Sequence, residues 1–301
     1  MKIKTLSRSR YNRTNVTASV VIISGKAIFG FGSGPTAITN LVSNTGVVAT
    51  DTTGVGTGRQ YLAAAGYGTD KAIFGYGSIC CSSPNSVINL VSNTGVVATD
   101  SGFVGTARYL LAAAGYGTDK AIFGFGYDGT NSLNKTNLIS STGVVATDTT
   151  GVGTARYWMS AAGYGTDKAI FGTSTSNFTN LVSNTGVVAS DIAGVGTQRF
   201  AYAGAGYGTD KAIFGYGYSS LSITNKISNT GVVATDTTGV GTGRSNLAAA
   251  GYGTDKAIFG FGFTSAYLNM SNLVSNTGVV ATDTTGVGTA RSDLAAARIG
   301  G

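Results

Sequence analysis

Short apolar runs separated by turn residues form the pattern of this chain. Residues 109–147 contain four runs of about strand length, rich in Val, Ile, Phe, Tyr, Thr or Ala: 109–116, 120–125, 137–141 and 143–147. The breaks between them hold Gly-Thr-Asp and Ser-Thr-Gly, which favour tight turns. No apolar stripe recurs at helical spacing. The pattern predicts four short β-strands joined in sequence as an antiparallel meander.

This four-run unit occurs six times. Lys-Ala-Ile-Phe, Gly-Val-Val-Ala-(Thr/Ser)-Asp and Gly-Thr-X-Arg recur in fixed order, and successive lysines of the first motif are 43 to 49 residues apart. Four antiparallel strands in a unit of this length predict an all-β fold, a six-bladed β-propeller of four-stranded antiparallel blades. The six lysines are Lys26, Lys71, Lys120, Lys168, Lys211 and Lys256.

Small and aromatic residues recur at fixed places within the unit. Ala-Ala-Ala-Gly-Tyr-Gly suits the innermost strand of a blade, because strands crowd together around the axis of a propeller. Phe123-Gly-Phe and its copies are expected to place large rings between adjacent blades.

The number of first-strand candidates does not decide how the ring closes. Second, third and fourth strands each occur six times, whereas first-strand candidates occur seven times, at 15–23, at five internal copies and at 292–298. Either the C-terminal segment completes the first blade, or the spare strand adds to the sheet edge of a neighbouring subunit.

The unit resembles a kelch repeat. Arg108, then Ala-Ile-Phe-Gly-Phe-Gly at 121–126 and the hairpin at 137–147, occupy the places of the kelch arginine, the strand ending in glycines and the last two strands. The resemblance covers residues 13–301, although the glycines are split and the fourth-strand tryptophan is missing. It implies a six-bladed kelch-like propeller. The close likeness of the copies is similar to repeat proteins encoded by bacteriophages and other viruses.

The net charge of +7 is concentrated at the N-terminus. We therefore divide the chain into a basic arm, residues 1–13, and a propeller, residues 14–301; each blade is close to neutral. The arm is expected to contact an acidic neighbour, nucleic acid or a membrane surface, whereas nucleic acid is disfavoured for the ring. No run is long enough for membrane insertion. The basic residues of the arm are Lys2, Lys4, Arg8, Arg10 and Arg13.

The composition argues against an enzyme. The chain has neither His nor Glu, which removes the commonest general base, the usual zinc ligands and paired glutamates. Nearly all aspartates recur in turns, where we expect local Asx-turns and not calcium sites; only Asp128 and Asp293 lie outside the repeat. Cys80 and Cys81 are adjacent in one variable loop. We predict no catalytic residue, no metal and no cofactor.

Two stretches of each unit differ between copies: the loop between the second and third strands, and the three residues after the arginine. In a four-stranded meander both emerge on the same side, so we predict one variable face opposite a constant face. Neutral drift in tolerant loops is the alternative. The candidate binding residues are Tyr61, Tyr109, Tyr127, Asp128, Tyr157, Trp158, Phe178, Phe200, Tyr202, Phe263 and Tyr267.

These features predict a non-enzymatic binding or structural protein. We expect a component of a phage or virus particle, such as a tail, fibre or capsid-decorating protein, located in the virion. Its partners would be other virion proteins and a host-surface receptor or glycan. One alternative is a soluble, extracellular lectin, which requires repeated identical sugar pockets. A second is a kelch-class enzyme, which requires a unique polar cluster at the axis.

Overall fold

The structure, a computed structural model, describes residues 25–80, 83–102, 105–174 and 176–300. These residues form a six-bladed β-propeller made of six small antiparallel sheets. No helix in the described ranges has the length and apolar character needed to cross a membrane. The basic arm and the first-strand candidate at 15–23 lie outside the described residues.

Each blade contains three regular strands, which follow one another along the chain in every blade except blade I. The innermost strands are β3 (Ala63–Tyr67), β6 (Ala112–Tyr116), β9 (Ala161–Tyr164), β13 (Ala203–Tyr207), β16 (Ala248–Tyr252) and β19 (Ala295–Ile299). The second strands are β1 (Lys26–Gly30), β4 (Lys71–Gly75), β7 (Lys120–Gly124), β10 (Lys168–Phe171), β14 (Lys211–Gly215) and β17 (Lys256–Phe263). The third strands are β2 (Thr39–Val42), β5 (Ile88–Val91), β8 (Thr136–Ile139), β11 (Phe178–Val182), β15 (Thr224–Ile227) and β18 (Tyr267–Val274).

The C-terminal segment closes the ring. Strand β19 pairs antiparallel with β1, with Ala297 opposite Ile28, and completes blade I, which is the sheet β19-β1-β2. The innermost strands contact one another in a full circle, β3-β6-β9-β13-β16-β19 and back to β3, as the alanine-rich sequence predicts. The first of the two closure hypotheses is therefore confirmed. Blades II to VI begin with β3, β6, β9, β13 and β16.

A circle of backbone hydrogen bonds joins the turns between first and second strands. In each bond a glycine N–H donates to a carbonyl of the next blade, at N···O distances of 2.6–2.7 Å. These turns surround one end of the axis and form the constant face. The six donor–acceptor pairs are Gly68–Asp119, Gly117–Asp167, Gly165–Asp210, Gly208–Asp255, Gly253–Gly25 and Gly300–Asp70.

In five blades the predicted fourth strand is an irregular antiparallel segment that pairs with the third strand through isolated bridges. In blade I, the segment after the third strand is held by two isolated bridges, Val42 to Val48 and Thr39 to Thr52. Between them the buried side chain of Asn40 donates to the Ala49 carbonyl at 3.1 Å, while the Ala49 N–H donates to the Leu41 carbonyl at 2.8 Å. Blade IV alone among the described blades has a fourth strand, the two-residue β12 (Ile192–Ala193).

Aromatic rings lie between adjacent blades, as the repeated Phe-Gly-(Phe/Tyr) motif predicts. Phe31 of blade I meets Phe74 of blade II edge to face, with ring centroids 5.1 Å apart. Gly30 permits this approach, because a Cβ there would lie 2.7 Å from Phe74 Cζ. Such T-shaped pairs add stability beyond the apolar area that they bury.

A buried arginine connects each blade to its neighbour. Arg108 is fully buried; its Nη2 donates to Asn137 Oδ1 at 2.6 Å, its Nη1 lies 3.6 Å from Asp148, and its guanidinium lies 4.2 Å from the Tyr76 ring of the preceding blade. Burial lowers the pKa of this arginine. The equivalent buried residues are Arg59, Arg156, Arg199, Arg244 and Arg291.

The six aspartates of the Gly-Val-Val-Ala-(Thr/Ser)-Asp motif make long-range contacts, and the prediction of local Asx-turns for them is wrong. Asp148 accepts hydrogen bonds from the backbone N–H and hydroxyl of Thr106, 42 residues away, and from Asn137. Burial acts to raise the pKa of Asp148, but the hydrogen bonds from Thr106 and Asn137 outweigh it and lower that pKa to about 2. These carboxylates thus fasten the segment entering each blade to its outer edge.

Candidate functional site

The structure brings the two variable stretches together on one face. In blade II, Gln60, which follows Arg59, forms a two-way backbone bridge with Ser78 at the start of the loop between the second and third strands. The same bridge joins Tyr109 to Tyr127 and Ser245 to Phe263. This variable face surrounds the end of the axis opposite the Gly-Thr-Asp turns.

A second circle of backbone hydrogen bonds surrounds the axis on the variable face. We call the three variable residues after each arginine a trio. The middle residue of each trio donates its backbone N–H to the carbonyl of the middle residue in the preceding copy, at N···O distances of 2.8–3.1 Å. All six have φ between 55° and 60°, a left-handed conformation that strains side chains other than glycine. Because each residue carries a side chain, the circle presents six different groups. They are Tyr61, Leu110, Trp158, Ala201, Asn246 and Asp293.

These six residues line a cavity of about 90 Å³, which we call the axial pocket. One side is polar, with Asn246, Asp293 and the Tyr61 phenol, and the other is apolar. The Trp158 Nε1 is buried and has no hydrogen-bond partner among the described residues. Beneath the pocket, a layer of Leu, Met and Ala side chains narrows the central channel.

Asp293 is the functional candidate that the sequence reasoning left out of its binding residues. Burial raises the pKa of Asp293 to about 6, although hydrogen bonds from Ser292 and Asn246 act in the opposite direction. The Ser292 hydroxyl donates to Asp293 Oδ2 at 2.6 Å. Burial also raises the pKa of Tyr61 to about 12, and the charge of Asp293 contributes. The sequence feature that could have identified this residue is its position outside the repeated motifs.

The buried carboxyl predicts a pH-dependent stability difference for Asp293→Asn. Because the folded-state pKa of about 6 exceeds the ordinary 3.8, the contribution of Asp293 to stability is fully present below about pH 4 and is lost as the pH rises to about 6. This pKa difference corresponds to roughly 3 kcal/mol. Urea unfolding should therefore show equal stability at pH 4 and a variant up to about 3 kcal/mol more stable at pH 7.5. A difference in stability between wild type and variant that does not depend on pH would contradict this prediction.

Aromatic side chains form a continuous row across the variable face from blade II to blade V. Trp158 stacks on Phe200 at 4.8 Å between centroids, and Phe200 stacks on Tyr218 at 4.5 Å. The other successive rings are 5.1–6.5 Å apart. We call this row the aromatic arc. Its members are Tyr61, Tyr109, Tyr127, Tyr157, Trp158, Phe200 and Tyr218.

Two of the predicted binding residues lie on a separate hairpin of blade VI, and a third lies at the start of strand β11. In blade VI the second and third strands extend into a hairpin in which Phe263 pairs with Tyr267, with ring centroids 5.5 Å apart. Tyr267 is 52% exposed. Phe178, at the start of β11, is 37% exposed. None of the ring–ring contacts among the described residues joins these three rings to the aromatic arc.

Tyr202 is buried and packs within the fold. Its ring is buried, its hydroxyl donates to the Thr173 carbonyl at 2.8 Å, and it meets Phe214 edge to face. Blade IV has Gly172-Thr173 where the other blades have Gly followed by Phe or Tyr, so Tyr202 fills the vacant aromatic position. The trio position that it occupies is Leu or Met in every other copy.

Asp128 and Tyr109 are also less available than the sequence suggested. Asp128 Oδ1 accepts from the backbone N–H groups of Thr130 and Asn131, which shapes its own loop and lowers its pKa. Tyr109 is buried within the arc and supports the neighbouring rings.

The anchoring residues Lys2, Lys4, Arg8, Arg10 and Arg13 lie outside the described residues. Gly25, the first described residue, belongs to the hydrogen-bonded circle of the constant face. Within the described ranges, no group of three Cys or Asp side chains is placed to hold a metal ion.

Comparison with known proteins gives no family assignment. A scan against protein-family models and a search of curated proteins found no match to the chain. The propeller class therefore stands on the sheets and their circular contacts.

Proposed function

We propose that this protein is a non-enzymatic binding propeller, acting as a structural or adhesion component of a phage or virus particle. The aromatic arc is the observation that carries the proposal. Several half-buried rings in one continuous row are typical of interface anchors, since they bury large areas at a low cost in side-chain entropy. The constant blades would serve as the scaffold and the arm as the attachment on the opposite side.

The distribution of the arc favours one extended site over a lectin with equal pockets. The rings run from blade II to blade V, whereas blades VI and I place Ser245 and Ser292 at the corresponding positions of the trio. A surface that differs from blade to blade suits a single partner, such as a host receptor, a long glycan or a neighbouring particle protein. The resemblance of the repeat to kelch units and to phage-encoded repeat proteins agrees with this role.

The axial pocket would receive a small polar group of the same partner. Its Asp293 and Asn246 form the unique polar cluster that a kelch-class enzyme also requires, but the pocket offers a single carboxyl in about 90 Å³. That arrangement suits hydrogen bonding to one donor group better than a two-step proton transfer.

Binding arrays with matched variants test the proposal. Full-length protein would be applied to arrays of glycans and of surface-displayed proteins, alongside Trp158→Ala combined with Phe200→Ser. Both substitutions introduce residues that other copies carry at the same trio positions, which favours correct folding. We expect the double variant to lose at least tenfold in affinity, because aromatic anchors dominate interface energies.

The control is Val187→Ser, which removes a 65% exposed apolar side chain near the constant face. Its affinity should equal that of the wild type. Equal binding by wild type and the aromatic double variant, or an equal loss in Val187→Ser, would refute the assignment of binding to the variable face.

A further inference from the structure

The mouth of the central channel on the constant face is a second distinctive cavity. It has a volume of about 380 Å³ and is lined by the Gly-Thr-Asp-Lys turns around the axis. Six cationic side chains border it: Lys71, Lys120, Lys168, Lys211, Lys256 and Arg298.

Five of these cations are neutralised locally. Each lysine Nζ lies 2.8–3.2 Å from the carboxylate of the aspartate before it. Because these pairs are partly exposed, they contribute little net field at the cavity. The lysines alone therefore do not make an anion site.

Blade I breaks this balance at two positions. Gly25 replaces the aspartate that precedes the lysine in every other copy, so Lys26 has no adjacent carboxylate. Arg298 replaces the glycine of the Ala-Ala-Ala-Gly-Tyr motif, the residue found at Gly66 and its equivalents. Among the six cations that border the cavity, Arg298 is therefore the one without a paired carboxylate in the described residues.

Arg298 projects into the channel without an acidic partner among the described residues. Its Nη2 donates to the Gly253 carbonyl at 2.9 Å, and the surrounding protein lowers its pKa through burial alone. The side chain is nevertheless reached by water, since the channel is open at this end.

We propose that the constant-face mouth of the channel binds a tetrahedral oxyanion, a phosphate or sulfate group, with Arg298 as its principal contact. A guanidinium with free N–H donors matches such a group through two parallel hydrogen bonds. The threonines of the turns, such as Thr69 and Thr118, supply hydroxyls around the same cavity. The anion is either free in solution or carried on a larger phosphorylated or sulfated ligand. The site is independent of the function proposed for the variable face.

Isothermal titration with inorganic phosphate, sulfate and pyrophosphate at pH 7, in chloride of fixed ionic strength, tests this site. We expect the wild type to bind phosphate and Arg298→Gly to bind at least tenfold more weakly. This variant restores the residue of the other copies, so it should fold; Arg298→Lys should show intermediate affinity. Tighter binding of phosphate than of sulfate would indicate a phosphorylated ligand, and tighter binding of sulfate a sulfated one.

A second variant separates the channel from the arm. Replacing Lys2, Lys4, Arg8, Arg10 and Arg13 together by Gln should leave phosphate affinity within about twofold of the wild type. The proposal is overturned by absent phosphate binding in the wild type, by unchanged affinity in Arg298→Gly, or by a loss confined to the arm variant.

Discussion

Truncation of the chain after Leu294 is expected to abolish the cooperative unfolding transition of the propeller. The deletion removes β19, which pairs with β1 over five residues and buries Ala295, Ala297 and Ile299. Five ladder residues at about 1 kcal/mol each and the burial of an isoleucine at about 2 kcal/mol give roughly 7 kcal/mol. That amount is comparable with the whole stability of a typical domain. Circular dichroism during heating measures the transition.

Deletion of residues 1–23 is the matched control, because this segment contains the competing first-strand candidate at 15–23. The closing strand and Gly25 are retained, so we expect the melting temperature to change by only a few degrees. The opposite pattern, with a stable C-terminal truncation and an unfolded N-terminal one, would show that the N-terminal segment closes blade I.

Substitution of one inter-blade arginine should produce the largest effect of any single residue. In Arg108→Ala, Asn137 loses its buried partner, Asp148 loses a nearby positive charge and the Tyr76 ring loses its cation. Removing one member of a buried charged network costs about 3–5 kcal/mol. Urea denaturation at pH 7 should show the free energy of unfolding lowered by about 3–5 kcal/mol, seen as a lower midpoint at unchanged slope.

Lys135→Ala provides the comparison on the same carboxylate. The Lys135 Nζ lies 3.3 Å from Asp148 Oδ2, but its side chain is 37% exposed. Exposed pairs contribute about 0–1 kcal/mol, so this variant should remain close to the wild type. Equal losses of unfolding free energy in Arg108→Ala and Lys135→Ala would contradict the prediction. They would show that burial and the inter-blade contacts add nothing to the stability contributed by Arg108.

The repeat made most of the fold predictable. Six copies of one pattern indicated the number of blades, the alanine-rich innermost strands and the aromatic pairs between blades. The irregular fourth segment was not predictable from strand propensity, because it depends on the Asn40 side chain binding the Ala49 carbonyl. The partners of Asp148 were equally hidden, since Thr106 is brought to it only by the folded blade.

The candidate site was predictable in position but only partly in membership. Strand connectivity sufficed to place both variable stretches on one face. The burial of Tyr202 was not predicted, because it depends on the missing aromatic of blade IV, a gap that comparison of the copies could have revealed. Asp293 and Arg298 both depart from the repeat, and their importance follows from positions near the axis that only the closed ring defines.

Hydrogen–deuterium exchange tests the division between a binding face and a constant scaffold most directly. The protein would be compared alone and with the strongest ligand selected on the arrays. We predict added protection in the trios at 60–62, 109–111, 157–159 and 200–202, with unchanged exchange in the Gly-Thr-Asp turns. Protection confined to those turns, with the trios unaffected, would contradict the assignment of binding to the variable face.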